Sequence, residues 1–124
     1  MDISIVIPTY NEQDNVIPLY HQIKEVLDRL GKEYPAFMRA FSVFMGTVEK
    51  DGALDKKTKE LISIALSVCA KCKWCIAFHV KNALDAGAKK EEIMESCFVA
   101  TLMGGGPSLM YAQLVIKALE EFGA

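Results

Sequence analysis

From residue 34 onward the chain repeats one pattern, apolar residues at helical spacing broken at intervals by glycine, which leaves little room for a sheet. Gly52, Gly87 and the Gly104-Gly105-Gly106-Pro107 run mark the breaks. Between them the spacing predicts helices near 35–49, 55–70, 73–86, 90–103 and 108–122. Asp55 is placed to cap the second of these, and Pro107 to open the last. In the 55–70 helix Leu61, Ile62, Ile64, Ala65, Leu66 and Val68 cover nearly the whole circumference, as expected of a central helix surrounded by others. The last helix is also rich in apolar residues, from Leu109 and Met110 to Leu119 and Phe122. That surface reads either as a well-packed monomer core or as an oligomer contact.

The first 33 residues have another character. Ile3 to Ile7 is a β-branched run that predicts a strand, followed by a turn through Pro8 to Asn11. A helix then follows, with Asp14 as its N-cap and Ile17, Tyr20, Ile23, Leu27 and Leu30 as its apolar stripe. The expected fold class is therefore all-α over residues 34–124, with a short strand-like segment and a helix appended as residues 1–33. The 124 residues fit one domain, and 52% hydrophobic with 24% charged residues is an ordinary globular balance. A formal net charge of −2 offers no basic footprint, which argues against a nucleic-acid partner. No apolar run approaches the roughly 18 residues of a membrane span. Asp2 stands where a secretory signal would be positive, and the Ile3–Ile7 run stops at Pro8. A cytoplasmic protein is the default expectation, and there cysteines stay reduced unless they have a chemical role.

Four cysteines are present, at 69, 72, 75 and 97, three of them close together. A structural disulfide framework would spread its cysteines, so the crowding points to redox chemistry or to metal. In a helix starting near Cys72, Cys72 and Cys75 lie about 60° apart and Cys75 and His79 about 40° apart, so all three share a face with Trp74 turned away. A thiol in the first helical turn feels unsatisfied N–H groups that favour thiolate. His79, one turn on, can take the Cys75 proton, and Cys72 can attack an oxidised Cys75 to close a disulfide. If the 55–70 and 73–86 helices fold back on one another, Glu60 reaches the level of His79 and can orient it or relay its proton.

The competing reading is a metal-binding or assembly module, with Cys69, Cys72, Cys75 and His79 as four potential ligands. Zinc sites usually gather ligand pairs from separated segments, whereas these four lie on about three helical turns. The Cys-x-x-Cys-x-x-Cys spacing echoes iron–sulfur proteins, but the completing Cys-Pro is absent. Cys69 and Cys97 read as packed core thiols, the six methionines as core filler, and His21 as a surface residue.

Residues 33–124 resemble the carboxymuconolactone decarboxylase family, in particular its alkylhydroperoxidase D-like branch. The resemblance rests on Leu54-Asp55-Lys56-Lys57-Thr58-Lys59-Glu60-Leu61 and on Cys72-x-x-Cys75-x-x-x-His79. It extends through Asn82 to Ala88 and through Glu91-Glu92-Ile93 to Met103-Gly104-Gly105-Gly106-Pro107. It implies an all-α fold that assembles as trimers or hexamers, and a thiol peroxidase acting on a small hydroperoxide, or a disulfide reductase, without a cofactor or metal. It also implies Cys75 as the peroxide-attacking thiol, Cys72 as its resolving partner, and Glu60 with His79 as the proton relay. A thiol or lipoyl-type protein would be the reductant. The peroxidase prototype carries His just before the second Cys, where this chain has Trp74. The true lactone decarboxylases do not depend on a Cys-x-x-Cys pair, so its presence favours redox work over a lyase, which is the alternative enzyme reading.

Ser4-Ile5-Val6-Ile7-Pro8-Thr9-Tyr10-Asn11-Glu12 followed by a helix resembles the opening of family 2 glycosyltransferases. That fold next needs a second strand and an acidic metal-binding motif, and neither follows here. The segment is expected to be a truncated fragment without transferase activity, its amphipathic helix free to pack on the domain.

Overall fold

Six helices account for most of residues 15–124, the part of the chain described by the computed structural model: α1 (Val16–Glu33), α2 (Pro35–Glu49), α3 (Lys56–Cys69), α4 (Lys73–Asp85), α5 (Lys90–Gly104) and α6 (Gly106–Glu121). The fold class is all-α. The predicted strand Ile3–Ile7, the turn after it and the predicted cap Asp14 lie outside the described residues.

The helix ends follow local chemistry. The Asp55 side chain accepts the backbone N–H of Thr58 at 2.7 Å, the cap read from the sequence, and this bond holds its carboxyl below the usual range. Glu92 accepts the Lys89 N–H at 2.9 Å at the start of α5 and also pairs with Lys57 Nζ at 2.9 Å, joining the first turns of α3 and α5. The α5–α6 turn is tighter than expected. Gly105 alone, at φ 74° and ψ −158°, reverses the chain, so α6 starts at Gly106 rather than near 108. A side chain is essentially excluded from that backbone region.

The α1 N-terminus is capped from far away in sequence. Asn15 makes no side-chain cap bond; instead the Glu121 carboxylate accepts the N–H groups of Val16 and Ile17 at 3.0 Å. An anion at that position also faces the positive end of the α1 dipole. Val16 and Leu19 are buried in the same core as the other helices, so α1 packs into the bundle.

That core is built from α3, α4, α5 and α6: Ile64 and Val68, Ile76 and Val80, Ile93 and Cys97, Val115 and Leu119. The expectation of a fully surrounded α3 does not hold within one chain. Ile64 and Val68 are buried, but Ile62 is 44% and Leu66 64% exposed, because α4 and α5 cover one side of α3 and none of the described helices covers that stripe. The methionines are not all core filler either, since Met103 and Met110 are exposed. Most unusual is α2, which has no buried residue at all and leaves Phe37, Val43, Phe44 and Val48 open.

Gly104 packs directly against the first turn of α6. A Cβ there would run into the buried Ser108 side chain and come within 3.4 Å of Cys69 Sγ, whereas a Cβ on Gly106 would meet open space. Gly104→Ala is therefore expected to lower the unfolding free energy by about 1–3 kcal/mol. Gly106→Ala, measured alongside by urea denaturation, is expected to leave it unchanged or slightly raised.

Candidate active site

The site is set by the short reversal between α3 and α4. Ala70 is the C-cap of α3; Lys71 takes a left-handed backbone (φ 55°) and donates its N–H to Val68 O at 3.1 Å. Cys72 then donates its N–H to Ser67 O, also at 3.1 Å, completing a Schellman turn. A lysine in that conformation costs about 1–2 kcal/mol that glycine would not. Cys72 thus ends one helix and caps the next, with its Sγ accepting the Cys75 N–H at 3.2 Å. The two cysteines are joined as a disulfide, with a Cα–Cα distance of 5.3 Å.

The same reversal brings the two arms of the hairpin into register. His79 Nδ1 lies 2.7 Å from Glu60 Oε2. Glu60 is only 1% exposed, and its second oxygen, Oε1, is buried with no hydrogen-bond partner. His79 is half-buried and stands one helical turn after Cys75 on the same face of α4. The hairpin assumed from sequence is therefore present, and it joins Glu60 to His79.

Cys75 and His79 open into a pocket of about 210 Å³ whose other walls are Ile23 and Leu27 of α1, Phe41 and Met45 of α2, and Trp74 and Phe78 of α4. Trp74 departs from expectation. On an isolated helix it points away from the cysteine–histidine face, yet here it lines the same pocket. The cause is α1, which crosses the start of α4 and accepts the indole Nε1–H on Gln22 Oε1 at 2.8 Å. The pocket walls from α1 and α2 were not legible from the cysteine motif, because they come from segments 27 or more residues before Cys72.

Glu49, at the end of α2, is the other group missed. One donor atom each from Glu49, Glu60 and His79 lie within 4.8 Å of one another. Burial pushes the Glu49 carboxyl above its usual range and the Glu60 charge adds to this, while His79 and Lys56 act in the opposite sense. Two carboxylates and an imidazole are a donor set that divalent metals accept. However, two ligands of one tetrahedral ion, each bonded at about 2.0–2.1 Å, stand about 3.3 Å apart. The 2.7 Å separation of His79 Nδ1 and Glu60 Oε2 is instead that of a hydrogen bond.

The remaining cysteines stand apart. Cys97 is fully buried, and burial pushes its thiol up to about 11. Cys69 is half-buried and donates to Ala100 O at 3.4 Å, so it is engaged with α5. His21 is exposed on α1, as expected.

Together these features define an all-helical domain with a Cys-x-x-Cys pair at a helix start and a buried Glu–His pair behind it. The chain belongs to the carboxymuconolactone decarboxylase family, whose sequence pattern matches residues 35–118. It is similar to a carboxymuconolactone decarboxylase family protein from Legionella pneumophila, solved in its apo form, at 44% identity and a TM-score of 0.85. That match covers 90% of this chain and 99% of the other, a longer stretch than residues 34–124, so it reaches into α1. A family protein from Thermotoga maritima, suggested to take part in an antioxidative response, matches at 27% identity and a TM-score of 0.74, over 83% of this chain and 88% of the other. An alkyl hydroperoxide reductase AhpD from Corynebacterium aurimucosum is 32% identical over 78 residues, which are 63% of this chain and 44% of that protein.

The contrast among the thiols is testable by alkylation. After reduction, native protein at pH 8 is expected to take up iodoacetamide at Cys72 and Cys75. At that pH a group with a value of about 11 holds only about one part in a thousand as thiolate, and Cys97 has no exposed surface. Peptide mapping should find Cys97 labelled only after denaturation; labelling at the rate of Cys75 would contradict its buried placement.

Proposed function

We propose that this protein is a thiol-dependent peroxidase of the alkylhydroperoxidase D type. Cys75 is the attacking thiol, Cys72 the resolving thiol, and Glu60 with His79 the proton relay. The observation that carries this reading is the Cys72–Cys75 disulfide at the start of α4, with the Glu60–His79 hydrogen bond one turn further on. The cycle starts from the reduced pair. The Cys75 thiolate attacks the outer oxygen of a hydroperoxide, the O–O bond breaks, and the alkoxide leaves as alcohol with the proton held on His79. The resulting sulfenic acid is attacked by the Cys72 thiol; the S–S bond forms and water leaves. Two electrons from an external dithiol, or from a lipoyl-type carrier, return the pair to thiols.

The local chemistry favours each step. The positive end of the α4 dipole favours thiolate at the cysteine pair, and the Cys75 N–H donates directly to Cys72 Sγ. Glu60 accepting from Nδ1 leaves Nε2 of His79 free as the base. The nearly all-apolar pocket walls suit an alkyl hydroperoxide better than hydrogen peroxide. The likeness to AhpD and the antioxidative role suggested for the Thermotoga protein support the same reading. A lyase reading draws on the family name alone.

We place the protein in the cytoplasm; none of the described helices is long and apolar enough to cross a membrane. It acts as a homo-oligomer in this reading, with the exposed apolar residues of α2, α3, α5 and α6 as the surfaces that meet. The glycosyltransferase-like residues Ser4–Glu12 are given no activity of their own.

Trp74, the only tryptophan, stands beside the disulfide and serves as the reporter. Mixing reduced protein with cumene hydroperoxide should change its fluorescence as an intact-mass loss of two hydrogens appears. Cys75→Ser is expected to abolish turnover with the helical circular dichroism unchanged, and His79→Asn to slow it by about 10²–10⁴-fold. Undiminished turnover in Cys75→Ser would remove the nucleophile assignment.

A further inference from the structure

Glu60 has one oxygen more than its partners account for. Its Oε2 is bonded to His79, but Oε1 is buried without a partner, and a buried oxygen left unsatisfied is destabilising. The neighbouring acid is Glu49, with a carboxylate oxygen within 4.8 Å of the Glu60 and His79 donor atoms. Its presence there is enforced. Lys59 Nζ donates to Val48 O at 2.8 Å and to Lys50 O at 2.6 Å, gripping the residues on both sides of Glu49. A cation on the last carbonyls of α2 is favourable in itself. Its further effect is to hold the end of α2 beside the first turns of α3, one residue from Glu60.

We propose that Glu49 is a positioning residue of the thiol site, its carboxyl sharing its proton with the free Oε1 of Glu60 and so fixing the Glu60 carboxylate toward His79. The inference rests on the peroxidase reading for its consequence but not for its geometry. With the shared proton on Glu49, that carboxyl donates to Glu60, and Glu60 keeps both lone-pair directions occupied while it accepts from His79. Only protons move. When Cys75 gives its proton to His79 and the alkoxide takes it back, the Glu49–Glu60 pair retains its own proton throughout. Two carboxylates this close resist ionising together, and burial of Glu49 works in the same direction. The other charges acting on Glu49 are His79 on α4 and Lys56 on α3, with Lys59 holding the flanking carbonyls. From α1, the residues on this side are Ile23 and Leu27, neither of which titrates.

The test compares wild type with Glu49→Gln and Glu49→Asp. Gln donates a permanent hydrogen bond to Oε1 but carries no titrating proton, whereas Asp keeps the titration. The rate of disulfide formation with cumene hydroperoxide is followed by Trp74 fluorescence from pH 4.5 to 9. The acid limb of the Glu49→Gln profile is expected to shift by about half a pH unit or more, while that of Glu49→Asp stays with wild type. Coincident limbs for all three proteins, or an equal loss of rate at every pH in both variants, would overturn the proposal. A second readout needs no turnover: the infrared carbonyl stretch of a protonated carboxyl should persist at pH 6 in wild type and be missing in Glu49→Gln. If wild type forms no disulfide with peroxide, the peroxidase reading fails, and this band alone decides the shared proton. Absence of the band in wild type overturns the pairing. So does a stoichiometric divalent metal in untagged wild type that Glu49→Gln lacks.

Discussion

A three-residue reversal governs this structure. Ala70, Lys71 and Cys72 end α3 and begin α4 with no spare length, so the two helices must run back alongside each other in one register. Had the turn been one residue longer, Glu60 and His79 would be displaced by about 1.5 Å along the axis and rotated by about 100°, and their hydrogen bond would be lost. The turn also gives Cys72 its double duty, since the N–H that closes the Schellman motif and the sulfur that caps α4 belong to one residue. The backbone cost at Lys71 is offset by this arrangement, in which the chain reversal and the thiol placement are the same event.

What could be read from sequence followed how local the cause was. Helix positions were legible to within about two residues because glycine, proline and capping Asp55 act on their immediate neighbours. The Glu60–His79 pairing was legible only through an assumed hairpin, which held because the intervening segment was too short for another course. Trp74 was misplaced because one helix wheel says nothing of a second helix laid across it. Glu49 carried no signal at all: an acid at the end of an apolar helix looks like a solvated residue until Lys59 is seen to fasten it against α3. The predicted strand and its transferase-like turn fall outside the described residues.

The distribution of apolar surface is uneven in a way that matters for the site. The α3–α6 core is buried, while α2 contributes two walls of the pocket and Glu49 without burying any side chain fully. Its attachment depends on α1, on the Lys59 grip and on the loop 50–55, where Asp51 accepts the Lys56 N–H at 2.7 Å. The cysteine pair, Glu60 and His79 thus sit on the α3–α4 hairpin, whereas Glu49 and part of the pocket wall sit on α2, which has no buried residue. That division suits chemistry in which a substrate must enter an apolar recess and an oxidised pair must then become accessible to a reductant.

Glu121 joins the last turn of α6 to the first N–H groups of α1, so the two ends of the six-helix array meet. The chain could therefore be joined there and opened elsewhere without moving a helix. A circular permutant linking Ala124 to Val16 and reopened in the 50–55 loop would begin with the α3–α4 hairpin and end with α2, leaving every helix contact in place. In such a chain the thiol hairpin would leave the ribosome first and the pocket wall last, separating the folding of the reactive scaffold from the closing of its cover.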